Sequence, residues 1–292
     1  MSTSAARPAE GASASSSGAT PATPTLYIEA PSFWAPSLPG WDIARAALRG
    51  EGAMADPPAK RPAPQLLAPA ERRRAPDTVA LALEVATATV AASGRDAKDL
   101  PCVFTSAHGD LGINDYMCAT LAADPLLLSP IKFHNSVHNA AVGYWTIGTG
   151  CMAASNSVSA YENSFAAGLL EAAVQCAADQ SPVLLVGYDT PTVGALTSVT
   201  DSQGLLAVAL VIAPERTART VAALEWSLEE NSGGTVPALV SDAAKTLAHI
   251  NPMAHALGLF ESLARVEDDP PPLELPLSSA LSLRLQLQRV QD

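Results

Sequence analysis

Cys151, in the run GTGCMAAS, and the imidazoles of His134, His138 and His255 have side chains suited to covalent chemistry. A thiolate can carry an acyl group, and a histidine can serve as its base. Glu162, in SAYENSFAAGLLEA, adds a carboxylate that can act as a base or complement the dipole of the helix beginning beside it. A nucleophile and its base must stand about 3 Å apart, which spacing along a chain does not establish. The plainer reading of Cys151 is a buried structural thiol, because free cysteine behaves as a small core residue. His134 and His138 are spaced i, i+4, which would put two imidazoles on one helical face. HNSVH lacks the glutamate of H-E-x-x-H and no third ligand is evident, so no metal is expected. AHGDLGIND holds glycines and acids but neither G-x-G-x-x-G nor a lysine. It reads as a strand-end turn rather than a nucleotide loop, and no cofactor is expected.

The elements that must position these groups follow from local patterning. Residues 1–24 are almost wholly Ala, Ser, Thr, Gly and Pro, which cannot repay the entropy of ordering, and a disordered tail is expected there. Order should begin near Leu26 with the strand-like LYIEA, followed by a loop, PSFWAPSLPGW, and a second Pro-rich connection. DTVALALEVATATVAAS reads as a buried helix with Asp77 as its N-cap. PCVFTSAHG reads as a strand and DYMCATLAADP as a short helix. SPIKFHNSVHNAAVGYWTIGTGC should pass from loop through helix into a strand-like YWTI holding Tyr144 and Trp145. SAYENSFAAGLLEAAVQCAAD is apolar round most of its circumference, as a central helix would be. PVLLVGYD and LLAVALVIAPE suit strands buried on both faces, and PLELPLSS with ALSLRLQLQ suggests a final strand pair. Alternating strands and buried helices indicate a layered α/β domain over residues 25–292.

Composition narrows the function. At 292 residues and 48% hydrophobic content the chain can bury a sizeable core. A net charge of −12 with 17 basic residues argues against binding a nucleic-acid backbone. No apolar run is long enough to span a membrane, and the first residues lack the apolar core of a secretory signal, so a cytoplasmic protein is expected. Cys102, Cys118, Cys151 and Cys176 are dispersed without a CxxC pair, as reduced thiols would be.

From Asn139 to Gly187 the chain reads NAAVGYWTIGTGCMAASNSVSAYENSFAAGLLEAAVQCAADQSPVLLVG, which resembles the nucleophile region of β-ketoacyl synthases. Matching Asn139, Gly143, Ile147, Gly150, Ser155, Val158 and Ser159 without gaps puts Glu162 where that family carries its cysteine. RRRAPDTVALALEVA, SPIKFHNSVHN and NPMAHALGLFESLA are similar to outer family segments, and the last sets His255 at a family histidine position. The resemblance implies a layered thiolase-like fold (α/β/α/β/α), shortened in the second half. It also implies missing chemistry: the cysteine is replaced and the H-G-T-G-T histidine has no counterpart. Loss of the cysteine within a retained frame resembles chain-length-factor subunits, and the short form is similar to those of aryl-polyene pathways. Such a subunit has no independent activity. It forms a heterodimer with an active ketosynthase and meets acyl carrier protein through that complex. Two other functions stay open on the residues: a stand-alone acyltransferase or thioesterase-like enzyme using Cys151, and an acyl-carrier-binding homodimer.

Overall fold

Short apolar runs bounded by Pro and Gly form the middle of the molecule, with helices laid against them. In this computed structural model, which describes residues 23–231 and 238–290, β1 (Leu26–Ala35) turns through β2 (Leu38–Pro39) into α1 (Trp41–Arg49), and a Pro-rich connection leads to α2 (Pro69–Arg74) and α3 (Asp77–Ser93). Then follow β3 (Cys102–Thr105), α4 (Leu111–Ala123), α5 (Pro130–His134), α6 (Ala140–Thr149), β4 (Ser155–Val158), α7 (Ser164–Asp179) and β5 (Val183–Asp189). After β6 (Leu206–Ala213) and β7 (Thr220–Glu230) come α8 (Asp242–Leu247), α9 (Leu257–Ala264), β8 (Leu273–Pro276) and β9 (Leu281–Gln288). Single 3-10 turns, Tyr161–Asn163 and Pro252–Ala256, run directly into α7 and α9. The tail expected over residues 1–24 falls, up to residue 22, outside the described residues.

The strands form one mixed sheet in the order β4-β3-β5-β6-β1-β7-β9-β8. β3 is parallel to both β4 and β5, and the remaining neighbours are antiparallel. One face of β3, β5 and β6 packs on α3 and α6, burying Leu81, Val85, Phe104, Trp145 and Tyr188 together. The opposite face meets α1, α7, α8 and α9, and the same apolar cluster continues onto β7, β8 and β9 through Trp226, Leu273 and Leu285. On the far side of β7 and β9, Glu225, Arg284 and Gln288 are exposed in place of a covering helix. The layering is therefore complete over the first half and trimmed over the second.

β1 joins the two halves. It pairs with β6 along most of its length and with β7 only over Leu26–Glu29, and the register shifts on both sides around Glu29. Ala30 takes a left-handed φ of 47° there. The Glu29 carboxylate, buried at the bulge, receives two hydrogen bonds from the Arg95 guanidinium at 2.8 and 3.0 Å and one from Thr217 Oγ1.

Three local expectations need correction. PSFWA is not a loop: it continues β1 to Ala35, because past the bulge at Ala30 Ser32–Trp34 pair with β6 and the apolar Phe33 and Trp34 are buried. The YWTI run is not a strand: Tyr144–Ile147 lie inside α6, because Ala141, Val142 and Trp145 make a helical stripe that packs on α3. That tertiary contact overrides the β preference of the individual residues. Asp77 is not the cap of α3 either. Pro76 occupies the N-cap, and Asp77 sits in the first turn, where it favours the helix dipole and pairs with Arg61 at 2.8 Å.

Candidate functional site

The parallel strands β3, β4 and β5 end side by side at Thr105, Val158 and Asp189, and a crevice outside such carboxyl ends is where open α/β sheets bind ligands. Three segments leave these ends: Ser106–Asp110 into α4, Ser159–Asn163 into α7, and the stretch after Asp189 into β6. The turn Pro252–Ala256 packs against β5, α7 and the turn Tyr161–Asn163.

Glu162 lies in the 3-10 turn at the head of α7, exposed to solvent. The turn is held by Ser164, whose Oγ donates to Tyr161 O at 2.6 Å and accepts from the Ala160 amide at 2.9 Å. Tyr161 adopts φ 54°, a conformation costing an L-residue about 1–2 kcal/mol, so the backbone is bent sharply just before Glu162. Thr105 Oγ1 donates to Ser164 O at 2.7 Å and ties this bend to β3. Gly168, one turn into α7, permits that approach, since a Cβ there would stand 2.8 Å from the Thr105 side chain.

His255 is carried by the turn Pro252–Ala256. Asn251 fixes that turn: Oδ1 accepts from the Met253 amide at 3.0 Å, while Nδ2 donates to Gly204 O at 2.8 Å and Asp189 O at 3.3 Å. Met253 lies over Gly187, where a Cβ would stand 2.6 Å from Sδ. The structure thus brings Glu162 and His255 together. Desolvation lowers the His255 pKa, although the residue keeps an exposed edge, and the Glu162 carboxylate opposes the shift.

Three residues that sequence reasoning missed complete the cluster. His108 Nε2 is 3.1 Å from Thr200 Oγ1, and its ring meets Tyr161 edge-on at 5.2 Å. Desolvation, and secondarily His138, push the His108 pKa down. Asp189 is buried at the end of β5. Burial pushes its carboxyl up to about 7, against hydrogen bonds to Oδ1 from Ser106 Oγ and the Ala107 amide that favour the ionised form. No motif signals any of the three; His108 stands in AHGD, whose Asp110 caps α4 through the Ile113 amide.

The remaining candidates lie apart. α5 stops at His134, so His134 and His138 do not share a helical face: His134 meets Tyr144 edge-on, while the His138 ring nitrogens lie 2.8 Å from Ser157 Oγ and 2.9 Å from Ser106 O. Cys151 is buried at the opposite end of β3 with Sγ 3.6 Å from Leu100 O and no histidine among its hydrogen-bond partners. Burial, and then Cys151, push the neighbouring Cys102 thiol up to about 12. The head of α7 offers a carboxylate and an imidazole but no thiol, so a thioester-linked acyl group cannot form there.

Residues 47–261 match the family model of the β-ketoacyl synthase N-terminal domain. The chain belongs to the β-ketoacyl synthase family. Among solved structures it is similar to a chain of the complex of the ketosynthase ApeO with its chain length factor ApeC from Xenorhabdus doucetiae, at 22% identity over 90% of this chain and 99% of that one, TM-score 0.68. The ishigamide ketosynthase/chain length factor matches at 14% identity over 91% of this chain and 100% of that one, TM-score 0.68. A third match, at 10% identity, 92% and 100% coverage and TM-score 0.69, is to AntDE:AntF, a type II polyketide acyl-carrier protein in complex with its ketosynthase. These likenesses show the thiolase-like ketosynthase fold. No curated protein matches the chain. No helix among the described residues is long and apolar enough to cross a membrane.

Proposed function

We propose that this chain is a non-catalytic, chain-length-factor-like subunit that pairs with a cysteine-bearing β-ketoacyl synthase in type II fatty-acid or polyketide biosynthesis of the aryl-polyene kind. The observation that carries the reading is the head of α7: the strand, bend and helix of a nucleophile site are built and braced, yet Glu162 stands at the bend and His255 beside it. Residues 25–292 act as one ketosynthase-like domain behind a tail formed by residues 1–24, in the cytoplasm. No metal or cofactor enters this role.

Pairing is supported by the surface around β4. β4 is the last strand of the sheet and pairs only with β3 among the described residues, which leaves a strand edge able to accept another chain. The chain leading to it exposes Leu126, Ile131, Phe133, Ile147 and Met152, with Leu126, Ile147 and Met152 each more than four-fifths accessible. Large exposed apolar groups in one stretch mark an interaction surface. Exposed basic groups would serve the carrier protein: Lys60, Arg73 and Arg74 are open to solvent on an otherwise acidic chain, whereas Arg61 is held by Asp77 and Arg72 by Leu67 O. Within the complex, an acidic carrier would meet these groups even though the net charge of the chain repels it.

The test is co-purification of a tagged chain with a cysteine-bearing ketosynthase from the same biosynthetic system. The native chain should give a one-to-one complex by mass, and Ile147→Glu with Met152→Glu should abolish it while leaving the fold intact by circular dichroism. An undiminished complex from the double variant, or a monodisperse monomer from the native chain beside its partner, would count against the proposal.

A further inference from the structure

Past Leu224, β7 keeps β9 on one side, but among the described residues it loses β1 on the other, because the pairing with β1 ends at Leu26. A groove of about 1050 Å³ opens there between β7 and α7. Leu170 and Val174 of α7 and Trp226 and Leu228 of β7 line it, and Val174 and Leu228 are about half exposed. A strand edge beside apolar side chains is a template for another extended segment.

The chain itself enters this groove, since Thr23 and Thr25 form part of its wall. The Trp226 indole N–H donates to Pro24 O at 3.1 Å, and Thr23 Oγ1 donates to the Trp226 carbonyl. These contacts stand in for the ladder bond that Pro24, lacking an N–H, cannot donate opposite Trp226. Continuing the register of Leu26 with Leu224 puts Ala22 opposite Leu228 and Thr20 opposite Glu230. Alternate residues of an antiparallel strand turn both main-chain groups to the same edge. The Trp226 carbonyl faces the β1 side, so the main chains of Leu228 and Glu230 face it too. Ala22 and Thr20 each have an N–H to offer them, whereas Pro21, which has none, falls at a position turned away. Residues 11–22 carry no charge, so docking beside Glu225 and Glu229 brings neither like-charge repulsion nor a buried ion.

We propose that residues 20–22 of this chain dock in the groove along Leu228–Glu230, sealing the edge of β7 and strapping it to α7, the helix whose head carries Glu162. The composition of this segment would not repay ordering by itself, but docking extends an anchor already made at Thr23 and Pro24 and adds only three residues to it. This inference stands apart from the subunit role.

A photo-reactive p-benzoylphenylalanine in place of the half-exposed Leu228, in the full chain, reads the occupant once the cross-linked peptides are mapped by mass spectrometry. Cross-links to residues 20–22 of the same chain are the expected result. Links elsewhere in the chain, to a second copy or to another protein, or no link at all, would overturn the proposal. Val174→Glu, at an exposed position on the facing wall, should abolish the cross-link, and its persistence would place the segment outside the groove. Hydrogen exchange of the Leu228 and Glu230 amides reads the register without either change. Ala22→Pro removes the N–H opposite Leu228 and should speed exchange there by about tenfold, while Pro21→Ala should alter it by less than about twofold and β6 should respond to neither. Exchange unchanged by Ala22→Pro, or altered more by Pro21→Ala, would refute the docking register.

Discussion

Replacing Arg95 with alanine should strip a buried charge of its partner at the junction between the two halves of the sheet. Glu29 is 1% exposed, and Arg95 supplies both of its charge-assisted hydrogen bonds, leaving only Thr217 Oγ1 as a donor after the change. Breaking a buried pair from one side costs about 3–5 kcal/mol. The Arg95 side chain is itself a quarter exposed, so water can partly replace it and the lower end, about 3 kcal/mol, is expected. In a domain of this size that corresponds to a fall in Tm of about 6–12 °C. Equilibrium urea unfolding, followed by tryptophan fluorescence and circular dichroism together, measures it. Removing the charge as well, in Arg95→Met with Glu29→Gln, should restore at least half of the loss, because no buried ion is then left unpaired. A loss below about 1 kcal/mol in the single variant, or a double variant no better than the single, would refute the reasoning.

Gly168→Ala should destabilise the chain by about 1–3 kcal/mol in the same assay, because its Cβ would press on Thr105 and push α7 away from β3. Glu162→Gln should lower the His255 pKa further, since it removes the charge that opposes desolvation; NMR titration of the imidazole reads the shift, and an unchanged or higher value would separate the two side chains. Reversing Arg73 and Arg74 to glutamate should weaken capture of an acidic carrier protein by the complex by tenfold or more at low salt while leaving the subunit pairing intact.

The strands with uniform apolar character, VLLVGYD and LAVALVIA, were legible because burial on both faces leaves a continuous run, and SLRLQLQ because one face of β9 is wet. β7 was not anticipated: TVAALEWSLEE mixes charges with small residues because its outer face lacks a helix. α6 misled through Tyr144–Ile147, whose helical stripe becomes visible only against α3. At the site, Glu162 and His255 came from a family frame, and the fold sets them side by side although the sequence separates them widely. Asp189, His108 and Tyr161 were beyond sequence reasoning for a common reason. Each matters through burial, backbone strain or a contact with a distant segment, and none of these has a local signature.

The central claim is that this chain works only as half of a pair. The most direct measurement is acyl elongation by a cysteine-bearing ketosynthase of the same system, assayed with its carrier protein in the presence and absence of this chain. Elongation that requires this chain, with no acyl group becoming attached to it and no effect of Cys151→Ala, is the predicted result. Elongation by the ketosynthase alone at an unchanged rate, or turnover by this chain without a partner, would contradict the account.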